Sequence, residues 1–140
     1  MATNLTSYLT YTDAVLIHIL VMRHLEEEHY GVFDRSLVES ALARPRQAAA
    51  YENADLIRQA ATLCYGLIKN HPWLGGNKRT ATAIVNEFLK RNGRKLAAAT
   101  SEIVGLVLAV EGEQWGVDEI ETWLRNHTSV YSESVFPLQP

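Results

Sequence analysis

The sequence predicts an all-α fold, a compact bundle of about six helices with a possible short N-terminal strand or flap. Three observations predict it. Apolar residues recur at helical spacing in separate segments along the chain. Those segments are bracketed by capping residues and by glycine or proline. Alternating, strand-like runs are scarce, and no segment repeats.

Residues 5–10 are short and partly alternating, a brief strand or an extended arm. Thr10 or Thr12 caps a first helix to about Tyr30, which Gly31 closes. Val15, Leu16, Ile19, Leu20, Met22 and Leu25 make that helix apolar over a wide arc, which predicts a central position. Glu26-Glu27-Glu28 is its solvated end. Adjacent carboxylates point around a helix instead of converging, and His18, His24 and His29 lack the i, i+4 spacing of a helical metal pair, so neither set predicts a metal site. Asp34 caps a second helix over residues 35–43, with Leu37, Val38, Ala41 and Leu42 inward and Pro45 as its stop; residues 44–52 read as a connection.

The third segment, residues 53–70, carries Ile57, Ala60, Ala61, Cys64, Leu67 and Ile68 on one face. Cys64 there is a small buried hydrophobe. The fourth, residues 77–92, carries Ala81, Ile84, Val85, Phe88 and Leu89, and Arg91-Asn92-Gly93 stops it. Thr100 or Ser101 opens a fifth helix to about Glu111, apolar at Ile103, Val104, Val107, Leu108 and Val110. A sixth covers residues 117–126, with Ile120, Trp123 and Leu124 inward. Residues 1–126 thus make one helical domain. Residues 127–140 are a Ser-rich, aperiodic tail, whose Val135, Phe136 and Leu138 can dock on the body or on a partner.

Between the third and fourth helices lies His71-Pro72-Trp73-Leu74-Gly75-Gly76-Asn77-Lys78-Arg79-Thr80. Pro72 bars continuation of the third helix, Gly75-Gly76 makes a tight loop, and Asn77 caps the fourth. Lys78 and Arg79 then fall in a first turn, where the positive end of the helix dipole makes each cation cost roughly 0.3–1 kcal/mol. A bound anion reverses that sign. Free N–H groups, a glycine pair and two cations describe a phosphate cradle. His71, just before the loop, suggests a base that deprotonates a hydroxyl for attack on phosphorus. An ordinary solvated helix start with a turn histidine fits the same residues, and charge and spacing alone leave the two readings level.

A chain of 140 residues is one domain by length, and 47% apolar with 21% charged residues is ordinary for a globular protein. The net charge of −3 argues against a nucleic-acid binder driven by bulk charge. One cysteine excludes an internal disulfide and a Cys-rich zinc site. No apolar run reaches membrane-spanning length, and the first residues lack a basic region followed by an apolar core. The expectation is a cytoplasmic protein with no membrane and no direct nucleic-acid partner.

The ten-residue stretch resembles the signature of the Fic/Doc family, His-x-aromatic-x-acid-Gly-Asn-x-Arg. Lys78 before Arg79 resembles the Doc (death-on-curing) branch, which has Asn-Lys-Arg where Fic adenylyltransferases have Asn-Gly-Arg. Tyr8-Leu9-Thr10, Gly31-Val32-Phe33-Asp34-Arg35, the run from Leu37 to Pro45, Tyr65-Gly66-Leu67-Ile68-Lys69-Asn70, the run from Phe88 to Gly93, and Trp123-Leu124 also fit. The likeness covers about residues 8–126.

The resemblance implies a role for each signature residue. By it, His71 is the general base on a target hydroxyl. Arg79 and Asn77 hold nucleotide phosphates, and the nucleotide site is lined by Gly75, Gly76, Asn77, Lys78 and Arg79. Lys78 goes with inverted ATP binding, in which the γ-phosphate faces the histidine and the product is a phosphorylated protein, so the implied catalytic set is His71, Lys78 and Arg79. Trp73 replaces the usual Phe and anchors the loop in the core. Residues 46–51 correspond to a flap that positions the target segment. ATP and Mg²⁺ are the implied cofactors, elongation factor Tu the target, and a Phd-like antitoxin, folding its C-terminal segment onto the toxin, the partner. The Ser/Thr-x-x-x-Glu helix that silences many relatives has no convincing copy here.

One position departs from the pattern. Gly75 stands where the family has the Asp or Glu that holds Mg²⁺. Three explanations compete: another group or water holds the ion in a weaker enzyme, the site binds nucleotide without turnover, or Gly75 is an inactivating change. The rival functions are accordingly a Fic-type nucleotidyltransferase, which Lys78 disfavours, and a catalytically impaired nucleotide-binding module, which Gly75 favours.

Overall fold

Helix α3 (Leu56–Asn70) is the axis of the molecule. It is buried at Ile57, from Gln59 through Cys64, and from Gly66 through Ile68, so only a narrow strip meets solvent. Even its polar Gln59 is enclosed, accepting from Tyr8 Oη at 2.9 Å and donating to the Ala54 carbonyl at 3.0 Å. Asp55 caps it by accepting from Arg58 N at 2.9 Å. The structure, a computed structural model, describes residues 5–130. Around α3 stand α1 (Tyr11–His24), α2 (Arg35–Glu52), α4 (Asn77–Arg91), α5 (Thr100–Glu111) and α6 (Val117–His127), the all-α bundle that the periodicity predicts.

The first helix corrects two expectations. It ends at His24, not near Tyr30, and Gly31 belongs to a later turn. It is also peripheral. Only Ala14, His18 and Met22, spaced i, i+4, i+8, are fully buried, while Leu16 and Leu20 are 55% and 57% exposed. The wide apolar arc reports a buried line plus the wall of a groove. Thr10 starts the helix with a reciprocal capping box: its Oγ1 accepts from Asp13 N, and its own N donates to Asp13 Oδ2.

Helix α2 corrects a third. It passes through Pro45 and spans 18 residues to Glu52, with Asn53 left-handed beyond it. The connection expected over residues 44–52 is therefore helical, and the residues assigned to a flap, 46–51, are its last turns. Proline inside a helix removes one backbone hydrogen bond at a cost of about 3 kcal/mol. Here Val38, Ala41, Pro45 and Ala48 form one continuous buried stripe against α3, and burial of such a stripe is worth as much. Gly66 permits the approach, since a Cβ there would lie 2.6 Å from Arg44 Cδ and 3.3 Å from Ala41 Cβ.

Beyond α4, Gly93 (φ +81) turns the chain into β1 (Arg94–Leu96). It pairs antiparallel with β2 (Thr128–Val130) in the register Arg94↔Val130, Lys95↔Ser129, Leu96↔Thr128. Residues 5–10 form no strand; they are held to the end of α4, where Ser7 N donates to Asn92 Oδ1 at 2.7 Å. On α5 the inward residues are Leu106, Val107 and Val110, whereas Val104 and Leu108, expected inside, stay half-exposed because the helix touches the body along one edge only. The segment expected as a tail begins with the last residue of α6 and with β2; residues 131–140, with Val135, Phe136 and Leu138, lie outside the described residues.

Candidate active site

The signature stretch leaves α3 through an unusual residue. His71 is its C-cap at φ 47, ψ 57, left-handed and exposed. A non-glycine residue there costs about 1 kcal/mol or more, and such strain collects at functional positions. Pro72 follows, buried, and its carbonyl accepts from Phe33 N at 2.9 Å. Leu74 N donates to the Gly31 carbonyl at 2.8 Å, and Val32 bridges Trp73. Two short loops, residues 31–34 and 72–74, are thus laid side by side.

Trp73 is 3% exposed and sits in the core, as the resemblance implies. Its indole stacks on His18 with ring centroids 4.4 Å apart and planes 13° from parallel. Asn77 does not cap α4. It is the first helical residue, and its side-chain amide clamps Trp73 from both ends: Oδ1 accepts from Trp73 N at 2.9 Å, and Nδ2 donates to Trp73 O at 3.0 Å. The cap is Gly76, left-handed at φ 63, with no side chain to accept from the helix. The first N–H groups of α4 therefore lack a side-chain cap, an arrangement that receives an anion. A Cβ on Gly76 would collide with Met22 Sδ, whereas one on Gly75 (φ +81) would meet Met22 Cε at an ordinary 3.5 Å.

Along this stretch His71, Gly75, Lys78 and Arg79 are exposed, with Gly76 and Asn77 partly covered. The two cations lean apart. Lys78 Nζ reaches Glu111 Oε1 on α5 at 3.0 Å. The Arg79 side chain has no ion pair or hydrogen bond among the described residues, and it borders a groove of about 380 Å³ between α1 and α4. Ile17, Leu20, Val21, Leu25 and Ala83 give that groove apolar walls, with His24 and Glu87 at its rim. The residues present do not fit a protein-held Mg²⁺. Gly75 offers no side-chain ligand, and among the described residues no three His, Cys, Asp or Glu side chains converge. His24 and His29 are exposed and separate, and burial pushes the Cys64 thiol up to about 12, an inert group.

Sequence reasoning missed His18 and Glu111. His18 is fully buried, with Nδ1 2.9 Å from Thr80 Oγ1 and Nε2 accepting from Gly31 N at 3.0 Å. Burial pushes it down to about 4. Its signal was present, since it lies four residues after Ala14 and four before Met22. Glu111 gave none, because only the packing of α5 brings it to Lys78.

The arrangement is an exposed imidazole beside an uncapped helix start bearing two cations, which suits binding and attack on a phosphate ester or anhydride. Toxin Doc of Mycolicibacterium smegmatis (strain ATCC 700084 / mc(2)155) is 44% identical over 70 residues, covering 48% of this chain and 53% of the relative. The chain thus spans about half the length of that curated relative. The family model described as Fic/DOC family matches residues 8–89, which run from the extended arm into the last turn of α4 and contain the whole signature stretch. With more than half of its length matched, the chain belongs to the Fic/DOC family.

Proposed function

We propose that this chain is a Doc-like toxin that transfers the γ-phosphate of ATP to a hydroxyl of a translation factor, elongation factor Tu, and so blocks translation. The observation that carries the reading is the Asn77-Lys78-Arg79 start of α4, without a side-chain cap and with Lys78 and Arg79 exposed, in the same stretch as the exposed His71. The likeness to Toxin Doc supports it.

In this reading the first N–H groups of α4 and the Arg79 fork hold the triphosphate. Lys78 occupies the place where a glycine would admit the other phosphate orientation. The hydroxyl oxygen attacks the γ-phosphorus while His71 takes the hydroxyl proton on a ring nitrogen. The bond from the γ-phosphorus to the β–γ bridging oxygen breaks, ADP leaves with that electron pair, and a phosphorylated hydroxyl remains. No step is assigned to Mg²⁺, because position 75 supplies no ligand. The partner in this reading is a Phd-like antitoxin. The groove between α1 and α4 has the apolar walls an amphipathic segment needs, with Arg79 at its mouth, so an occupant there would also cover the phosphate site.

Gly75 favours a second reading, a module that binds nucleotide without turning it over. Intact mass of bacterial elongation factor Tu after incubation with this protein, ATP and Mg²⁺ separates the possibilities. A phosphate-sized increment is expected. A nucleotide-sized increment would make the chain a nucleotidyltransferase. An unmodified target together with measurable ATP binding would make it the binding module.

A further inference from the structure

We propose that His18 is the positioning residue of the signature loop, a neutral imidazole that ties the loop's beginning at Trp73 and its end at Thr80 to the facing segment at Gly31. Its relevance to phosphoryl transfer rests on the proposed function; the tie itself does not.

The hydrogen bonds fix the tautomer. Gly31 N is an amide and can only donate, so His18 Nε2, 3.0 Å away, must present a lone pair. The ring proton therefore sits on Nδ1 and is donated to Thr80 Oγ1 at 2.9 Å. Nothing else on α1 makes a hydrogen bond to either segment among the described residues.

Each of the three contacts controls a different part of the loop. The stack on Trp73 sets the plane of an indole whose own Nε1 is buried without a partner among the described residues, so stacking and close packing orient that ring. The bond to Thr80 holds the first turn of α4, whose N–H groups face the candidate phosphate site. The bond to Gly31 N fixes the residue whose carbonyl accepts from Leu74 N at 2.8 Å, so it steadies the loop from across the bridge. All the exposed residues from Leu74 to Arg79 lie between these attachment points. Because His18 is fully buried between Ala14 and Met22 on its helix, the ties share one rigid anchor. A misplacement of about 1 Å at such a site can cost roughly a hundredfold in rate.

A histidine that merely filled the core would be replaceable by any side chain of similar bulk. Two amides distinguish the cases, because the Asn nitrogen overlies Nδ1 and the Gln oxygen overlies Nε2. His18→Asn keeps the donor to Thr80 and loses the acceptor for Gly31. His18→Gln does the reverse.

The experiment is amide hydrogen exchange by NMR on the full chain, with the histidine ring ¹⁵N shifts of the wild type read alongside and α3 core amides as the control for folding. The wild type should show an Nδ1–H tautomer at His18. In His18→Asn, exchange at Gly31 and Leu74 should rise by about tenfold or more, and in His18→Gln it should stay near wild type, with α3 amides equally protected in both. Thr80→Val, a variant with the imidazole intact, should loosen Thr80 and leave Leu74 protected. An Nε2–H tautomer overturns the proposal, as does equal protection of Leu74 in all variants or equal loss in both amides. ATP titration of the same samples tests the other reading separately. A wild type that binds no ATP removes the proposed function, while the exchange rates decide the role of His18.

Discussion

Lys78 Nζ lies 3.0 Å from Glu111 Oε1, joining the first turn of α4 to the last residue of α5. The cation that the sequence marks as unfavourable at a helix start is partly neutralised within the chain. In the proposed function an incoming phosphate competes with Glu111 for it. The pair is about half-exposed, and such pairs contribute roughly 0.2–1 kcal/mol. Glu111→Gln is therefore expected to tighten ATP binding about two- to fivefold, with the gain shrinking in high salt. Isothermal titration measures it, and an unchanged or weaker affinity would show that Lys78 does not reach the phosphates.

The Arg79 guanidinium makes no ion pair or hydrogen bond among the described residues, and the residue is exposed. Removing it costs the fold little. In the proposed function it makes charge-assisted bonds to phosphate, worth about 1.5–3 kcal/mol. Arg79→Ala should weaken ATP binding by about tenfold to a hundredfold and leave the melting temperature within about 1 °C. A large drop in melting temperature would instead assign Arg79 to stability.

Gly75 has room for a side chain, since its Cβ would approach Met22 Cε no closer than 3.5 Å. Its φ of +81 makes substitution cost about 1–2 kcal/mol, least for Asp and Asn. Gly75→Asp is expected to restore the family's carboxylate and raise Mg²⁺-dependent transfer at least about tenfold, at a small loss of stability. The rate of target modification by intact mass measures it. An unchanged rate counts against the assignment of position 75 to metal binding.

Burial holds His18 at about 4 against an ordinary 6.5. Between those values the unfolded chain takes up a proton that the folded chain refuses. The stability contributed by His18 is therefore fully present above pH 6.5 and falls, by about 3 kcal/mol in all, as pH drops toward 4. His127 acts with the opposite sign. Its hydrogen bond to the Trp123 carbonyl, then Glu102, raise it, so its contribution is present at lower pH and lost as pH rises through its folded value. Urea unfolding at pH 7 and pH 4.5 for the wild type and His18→Gln isolates the first effect. Equal pH dependence in both proteins would remove His18 as its source.

Helix identity was legible where apolar residues recur at helical spacing. The inward residues named for α3, α4 and α6 are all buried, because Ile57, Phe88 and Trp123 each sit in a periodic stripe, although α3 also buries Gln59, Thr62, Leu63 and Gly66 and α4 buries Thr80. The reading failed where a local rule met a stronger tertiary one. Pro45 reads as a stop and is carried through by burial along α2. Asn77 reads as a cap, yet its amide satisfies both backbone groups of Trp73, which no local rule describes.

The sequence by itself determined the six helices and the ten-residue stretch that carries the candidate chemistry. Spacing of apolar residues and the conformational needs of glycine and proline act over a few residues, and so they can be read directly from their order. Only the tertiary structure decided that α3, not α1, is central, that Lys78 meets Glu111, and that His18 holds Trp73, Thr80 and Gly31 together. Those contacts join residues far apart in the chain. Their energies depend on which helix faces buried themselves against each other, and that choice is made by the whole core at once.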